Sequence, residues 1–354
     1  MSKVRLGAIG AGMISHSFGK SIAGHGEAEF TAAHDPHAER LAELCDKFDV
    51  PRRHAEVEDL FADDGVDAIY VAVPNKFHAP LAKRALEAGK HVILDKPFAL
   101  SAEEAQTVVD AAKASGKTFT LGMNQRFPES HQRARALVES GQLGEVYHAR
   151  AVWRRRSGIP KLGTWFGNKE VAGGGAMLDI GVHLLDLAMH LTGRFDPVAV
   201  SGQVHTIFGH RGLGEGMWGA SDPADITFDV DDNATALIRF AGGMSIQLDV
   251  TWAAHQAERN VQEVELFGSD AGATAVAGQW YRFQPKGAPK EDYRVEPLPE
   301  GPLAYPHKDR FHNFVNHLLG REALMTPIDQ ALAVQKTLDA IYESSRTGRQ
   351  VEIR

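Results

Sequence analysis

The chain has a single cysteine among its 354 residues. Cys45 therefore forms no disulfide within the chain, and it falls in a helical pattern with Glu39, Leu41, Leu44 and Phe48. No base stands beside it in sequence, so it reads as a small helix-face residue rather than a catalytic thiol. A basic excess is also missing. The formal net charge is -8 and the isoelectric point is near 6.1, so the chain lacks the electrostatic footprint of a nucleic-acid binder. Its start, Met1-Ser2-Lys3-Val4-Arg5-Leu6, runs into a strand without the roughly 7 to 15 apolar residues of a secretory leader. No run of about 18 apolar residues follows. These absences predict a cytoplasmic protein with no membrane span. There is no internal repeat, no cysteine-based metal set and no His-Glu-x-x-His motif.

What is present is a change of pattern part-way along the chain. In the first third, short apolar runs alternate with helical patterns, an arrangement that forces parallel pairing through right-handed crossovers. Strands are expected at Val4 to Ile9, Phe30 to Ala33, Ala68 to Val73, His91 to Leu94 and Thr118 to Gly122. Gly89 and Gly116 stand where helices must stop, and Ser101 with Glu104 makes a capping box. Residues 1–124 thus read as a doubly wound, dinucleotide-binding Rossmann domain. Residues 125–354 read as an α+β domain on a large, mostly antiparallel open sheet. Its strands are expected at Val146 to Trp153, Val198 to Phe208, Asn233 to Phe240, Met244 to Trp252 and Val261 to Phe267, with Gly242-Gly243 as a hairpin turn. Helices are expected from about Leu178 to Gly193 and from Ile328 to Ser345. Gly209 to Pro223 and Pro285 to Pro306 read as loops.

Gly10-Ala11-Gly12-Met13-Ile14-Ser15 follows the first strand directly. Two glycines let the backbone turn sharply and approach a pyrophosphate, which can rest on the amino terminus of the next helix. Ser15 replaces the usual third Gly or Ala, which predicts slightly wider helix–strand packing. Asp35 ends the second strand, where a carboxylate accepts from a ribose 2'-hydroxyl and repels a 2'-phosphate, so NAD is favoured over NADP. The competing reading is that Asp35 caps the helix after Pro36, and Arg40 is the one residue near it able to meet a phosphate.

Asp95-Lys96-Pro97 sets a cation at the carboxyl end of an apolar strand, the edge at which such sheets bind ligands. Asp179 and His183 stand four apart on a helix after Gly173-Gly174-Gly175, glycines that let the backbone come close to a ligand. An imidazole has an unperturbed pKa of about 6.5, which suits it to take a hydroxyl proton as hydride leaves the same carbon. His183 is a candidate general base, Asp179 can orient it or hold an adjacent sugar hydroxyl, and Lys96 can support a developing alkoxide. A metal reading of Asp179, His183, Asp186 and His190 is disfavoured, because the four span too much helix axis to close on one ion. Of Arg154-Arg155-Arg156, which alternate in direction after a strand, Arg156 is the candidate for an anionic substrate group. Trp153, Trp165 and Phe166 suit either an apolar wall for a sugar ring or the core, with Trp165 the candidate substrate contact.

Gly10 to Ile14, Asp35-Pro36 with Glu39-Arg40, Val73-Pro74-Asn75 with His78, Asp95-Lys96-Pro97, Asn124 with Arg126-Phe127, Gly173 to Gly175 and Asp179 to His183 form an ordered series. The series resembles that of the glucose-fructose oxidoreductase, inositol dehydrogenase and rhizopine-catabolism (Gfo/Idh/MocA) family, and the resemblance runs to Gly348-Arg349-Gln350-Val351. It implies an NAD(P)-dependent oxidoreductase acting on a sugar, polyol or cyclitol, with Lys96 reaching nicotinamide and substrate. It places Pro74, Asn75, His78, Asp95, Asn124 and Arg126 with Gly10, Gly12, Met13, Ile14, Asp35 and Arg40 as cofactor residues. It also implies a homodimer or homotetramer through the carboxy-terminal sheet. The family motif usually begins with Glu, and Asp95 is one methylene shorter. Two other activities fit the same residues: a glycosidase or lyase that uses bound NAD in a transient redox cycle, and a non-catalytic dinucleotide sensor.

Overall fold

Four- to six-residue apolar runs divided by amphipathic helices can satisfy their backbone groups only by pairing in parallel through crossovers. In the computed structural model, which describes residues 3–216, 227–283 and 293–353, they do so. Strands β1 (Val4–Ile9), β2 (Ala28–His34), β3 (Arg52–His54), β4 (Ala68–Val71), β5 (His91–Leu94) and β6 (Phe119–Leu121) form one parallel sheet in the order β3-β2-β1-β4-β5-β6. Helices α1 (Met13–Ala23), α2 (Ala38–Lys47), α3 (Val57–Ala62), α4 (His78–Glu87) and α5 (Ala102–Ser115) connect it. The strand order reverses between β1 and β4, and this is the point where doubly wound sheets open a ligand crevice. The short β3 carries Arg52, Arg53 and His54, with no apolar alternation to reveal it.

Gly89 and Gly116 have φ of 78° and 65°, the left-handed conformation expected of helix stops. The Ser101 hydroxyl accepts from the Glu104 amide at 3.2 Å, but the returning Glu104 carboxylate takes the Leu100 amide rather than that of Ser101. The capping box is therefore shifted by one residue on its second arm.

The second sheet has nine strands in the order β14-β13-β12-β11-β7-β10-β9-β8-β15. They are β7 (Val146–Arg155), β8 (Pro197–His205), β9 (Asn233–Phe240), β10 (Ser245–Thr251), β11 (Asn260–Gly268), β12 (Gly272–Thr274), β13 (Gln279–Phe283), β14 (Tyr293–Pro297) and β15 (Val351–Glu352). Helices α6 (Glu129–Glu139), α7 (Lys169–Ala172) and α8 (Val182–Thr192) belong to the same unit. Pairing is antiparallel except between β7 and β10, which run parallel with Trp153 opposite Val250. Part of the expected loop Pro285 to Pro306 is strand β14, while 285–292 lie outside the described residues. Of the expected loop Gly209 to Pro223, residues 209–216 hold a short 3-10 turn and a bridge from Glu215 to Ile159, and 217–223 lie outside the described residues. The stretch Lys169–Thr192 is long and apolar enough to cross a membrane by length and composition, contrary to the expectation that none is, but most of it is buried.

Helices α9 (Arg310–Leu318) and α10 (Ile328–Thr347) complete the chain. The division into units differs from a single cut after 124: residues up to Met123 cluster with Asp309–Gln335, and Asn124–Lys308 with Lys336–Arg354. The reason is packing. Phe311, Phe314 and Val315 of α9 join Phe18 and Tyr70 in the core of the first unit, with ring centroids of Phe311 at 5.2 Å from Phe18 and 5.0 Å from Tyr70. Each such aromatic pair adds roughly 0.5–1.5 kcal/mol beyond its area burial.

Candidate active site

In the first unit the predicted cofactor residues collect at the carboxyl ends of β1, β2, β4 and β5. Gly10 has φ +96°, and a β-carbon there would stand 2.1 Å from the Ala72 carbonyl oxygen. Its glycine is required by the fold itself. A β-carbon at Gly12 would meet nothing within 4 Å. Helix α1 begins there with no side-chain cap and no acid in its first turn. An open, uncapped helix start beside a glycine is the arrangement that accepts a dinucleotide phosphate, so these residues fit NAD. Met13 and Ile14 flank it and are exposed. Ser15 is fully buried and its hydroxyl donates to the Gly10 carbonyl at 2.6 Å, tying the helix back onto the turn rather than holding it away.

Asp35 spends both carboxylate oxygens on backbone amides. One oxygen accepts from the Ala11 amide at 2.7 Å and the other from the His37 amide at 2.8 Å, so the carboxylate clamps the glycine turn and caps the start of the next segment. Arg40 is exposed on α2. Pro74 is half-buried and Asn75 buried at the end of β4.

Three of the expected cofactor residues have buried side chains engaged with protein groups. His78 is 1% exposed, with Nδ1 2.6 Å from the Pro97 carbonyl and Nε2 2.8 Å from the Val73 carbonyl. Both ring nitrogens face carbonyl oxygens, and because burial pulls the imidazole below its ordinary pKa, the neutral ring donates its single N–H to one of them. Asp95 is likewise buried, its carboxylate shared among Lys96, Tyr70 and Arg310 of its own unit. Arg126, fully buried in the second unit, makes a bidentate pair with Asp186 at 2.8 and 2.5 Å. The pair secures α8. Asn124 is exposed in the turn that precedes it.

In the second unit, Asp179 and His183 lie on either side of a change in helical winding. Residues Met177–Gly181 wind as a π-helical turn, the Val182 amide donating to the Met177 carbonyl five residues back, before α8 continues as an α-helix. Such turns occur often at functional sites because they re-aim one or two side chains. Asp179 accepts from the indole of Trp252 at 2.9 Å, and His183 lies against the ring of Trp153 with centroids 6.3 Å apart. Trp153 is in β7 and Trp252 follows β10, so the one parallel pair of the sheet delivers both rings at its carboxyl ends.

Alternation along β7 turns Ala149, Ala151, Trp153 and Arg155 to the inner face. The arginine beside Asp179 is therefore Arg155. Its guanidinium lies 4.7 Å over Trp153, burial draws it below its ordinary pKa, and Asp179 opposes that fall. Gly158 makes room for its stem, since a β-carbon there would stand 2.5 Å from Arg155 Cδ. Arg156, the expected substrate contact, is exposed and borders an open groove of about 570 Å³ with Phe208 and His255. Trp165 stacks on Phe166 at 3.9 Å.

The glycine run meets protein rather than open space. A β-carbon at Gly174 would stand 2.1 Å from the Tyr342 hydroxyl, and one at Gly175 1.8 Å from the Asp231 carbonyl. Asp231 also accepts from the Gly175 and Met177 amides at 2.7 and 2.9 Å, which fixes the π turn from below. Asp186 is held by Arg126, and no metal-binding group of three His, Cys, Asp or Glu occurs among the described residues.

Residues 4–123 match the oxidoreductase family with an NAD-binding Rossmann fold, and 131–274 match the GFO/IDH/MocA C-terminal domain. Over 357 aligned positions, 99% of the chain is 30% identical to D-glucoside 3-dehydrogenase of Escherichia coli K12, covering 98% of that protein. The chain belongs to the Gfo/Idh/MocA family. It is also 29% identical to levoglucosan dehydrogenase of Pseudarthrobacter phenanthrenivorans over 67% of this chain and 62% of that one. The solved structure of GenD2 from gentamicin A biosynthesis, in complex with NAD, superposes with a TM-score of 0.80 at 25% identity, covering 100% of this chain and 97% of that chain.

This family member is thus an oxidoreductase with an NAD-binding Rossmann unit, and its two loop glycines make separable predictions. Gly10→Ala forces a φ of +96° on an alanine and a collision with Ala72, so it loses at least about 1–3 kcal/mol of stability from the backbone alone. Gly12→Ala places its methyl in open space. It should melt within a degree of wild type yet bind NAD at least tenfold more weakly in an NADH fluorescence titration.

Proposed function

We propose that this protein oxidises a secondary hydroxyl of a sugar or polyol, using NAD, with Lys96, Asp179 and His183 as its catalytic residues. The observation that carries the reading is the Asp179–Trp252 hydrogen bond beside His183, at the ends of the two parallel strands. A buried indole holds the carboxylate in place without adding a charge, and an imidazole one helical turn on is available for proton transfer. NAD held by the first unit would supply the hydride acceptor. His183 takes the proton of the reacting hydroxyl, Asp179 holds that hydroxyl or its neighbour, and the ammonium of Lys96 stabilises the charge developing on oxygen. Arg155 and Trp153 form a cation-topped aromatic face suited to a pyranose ring. The names of the relatives, a glucoside dehydrogenase and a levoglucosan dehydrogenase, support a carbohydrate substrate.

The test is an NADH fluorescence screen across methyl glucosides, anhydrosugars, sugar acids and inositols, with NADP in parallel. Accumulation of NADH with one of them is expected. Sugar cleavage without net NADH assigns the protein a transient redox cycle instead, and NAD binding without turnover of any sugar makes it a sensor. Trp252→Phe keeps an aromatic side chain while removing the donor to Asp179 and part of a fully buried indole, so Tm is measured beside kcat. A hydrogen bond to a charged group contributes about 1.5–3 kcal/mol, so kcat should fall roughly tenfold or more with NAD affinity unchanged.

The proposal extends to a cytoplasmic location and a homodimer or homotetramer. Tyr147, Val198 and Leu237, exposed on strands of the large sheet, support assembly through that sheet. Light scattering at micromolar concentration tests it, and a monomer at all concentrations refutes it.

A further inference from the structure

Asp95 carries its carboxylate on a single methylene, so its hold on the next residue needs separate support. The support comes from a residue 215 positions away. Asp95 Oδ1 accepts from the backbone amide of Lys96 at 2.9 Å and from Arg310 Nη1 at 3.1 Å, while Oδ2 accepts from the Tyr70 hydroxyl at 3.2 Å. Arg310 Nη1 also donates to the Gly122 carbonyl at 2.5 Å, and Nη2 to the Tyr70 hydroxyl at 3.4 Å. Gly122 leaves room for this, since a β-carbon there would stand 3.0 Å from Arg310 Nη1. The guanidinium rests 4.7 Å over Phe311, the ring that joins α9 to the core of the first unit.

A carboxylate so deeply placed is unfavourable unless paired. Burial alone raises the Asp95 pKa, but Arg310, Lys96 and His78 together bring it below its ordinary value. Burial, and then the Asp95 charge, keep Tyr70 neutral and a donor. Asp95 is thus an ionised anchor whose charge balance depends on a helix distant in sequence.

We propose that Arg310 is a positioning residue for Lys96: it neutralises and fixes the carboxylate that grips the Lys96 amide, and so sets the direction in which the ammonium leaves β5. This rests on the reading that Lys96 serves the hydride chemistry. In Arg310→Met the carboxyl loses its principal cation while burial remains, so it takes up a proton at higher pH and its bond to the Lys96 amide weakens. Arg310→Lys keeps the charge.

The decisive measurement follows Lys96 itself, in the full-length protein with saturating NAD. Competitive acetylation between pH 6 and 10, read by peptide mass spectrometry, reports the reactivity of Lys96 against exposed Lys113 on α5. Arg310→Met should change that ratio at least threefold, Arg310→Lys by much less, and NAD affinity should stay at the wild-type value. Should Arg310→Met fail to fold, the near-isosteric Asp95→Asn is expected to give the same change. Turnover of methyl α-D-glucoside, or of the best sugar in the screen, should fall at least tenfold in Arg310→Met, with the acid limb of kcat/KM moved to higher pH. A wild-type Lys96 ratio in Arg310→Met, or in Asp95→Asn where that variant stands in, overturns the inference whatever the turnover. A Lys96→Met protein with full turnover overturns instead the role of Lys96, and leaves the labelling result to judge Arg310.

Discussion

His183→Asn should yield a folded protein that binds NAD as wild type and turns over sugar roughly 10²- to 10⁴-fold more slowly, the usual contribution of a positioned general base. The site argues for a loss of this size. His183 is 8% exposed in the first turn of α8, against Trp153 and near Asp179, whose carboxylate Trp252 holds. Asparagine fits the space and hydrogen-bonds but takes no proton, so binding and chemistry separate: kcat and kcat/KM fall together and KM moves little. Measuring kcat, the NADH dissociation constant and Tm on one preparation checks each part. A histidine that only packs would lower Tm by several degrees and leave kcat near wild type, and that result removes His183 from the mechanism.

The sequence made the first unit readable because its signals are local. Apolar runs set β1, β2, β4, β5 and β6, and Gly10 stands next to the strand that requires it, with Gly12 two residues on. The position of Asp35 at the end of β2 was legible for the same reason, whereas its bond to the Ala11 amide is tertiary and left no local signal. Arg155 was half-legible: Ala149, Ala151 and Trp153 alternate, and extending that period by two turns Arg155 inward and Arg156 outward. Three neighbouring arginines obscured a rule that the strand obeys.

Other residues left no local trace. Asp231 and Asp232 precede β9 as an ordinary acidic pair, yet Asp231 fixes the π turn and Asp232 accepts from the amides of Ile207, Phe208 and Gly209. The π turn has no signature of its own, because one extra residue per turn leaves Asp179 and His183 still four apart in sequence. Arg310 opens a helix whose apolar face is evident but whose destination is not. Partner choice across 215 residues is decided by tertiary packing. Motif position alone grouped His78, Asp95 and Arg126 with the cofactor residues, whereas burial shows side chains engaged with protein. Order along the chain marks which residues matter to this fold, and only their surroundings show in what way.

Arg126 provides the sharpest test of that distinction. Asp186→Ala removes the carboxylate that pairs with a guanidinium of 0% exposure, and breaking a buried pair in this way costs about 3–5 kcal/mol. At roughly 2–4 °C per kcal/mol for a unit of this size, Tm should fall by about 6–20 °C. Arg126→Met strands Asp186 in the same manner and should lose a similar amount, while Arg126→Met with Asp186→Leu recovers most of it because two apolar side chains replace both charges. The dependence on pH has a definite sign. Burial, then Arg126 and Arg135, hold His190 well below its ordinary imidazole value, so the unfolded chain binds a proton that the folded one refuses. Wild-type stability therefore declines as pH falls below about 6.5. In Arg126→Met one of the repelling charges is gone, so that acid decline should be shallower. If Arg126 instead served the dinucleotide, Arg126→Met would weaken NAD binding at least tenfold with Tm nearly unchanged. Calorimetry and an NADH titration on the three variants separate the two roles, because the pair with Asp186 predicts a large change in the first and none in the second.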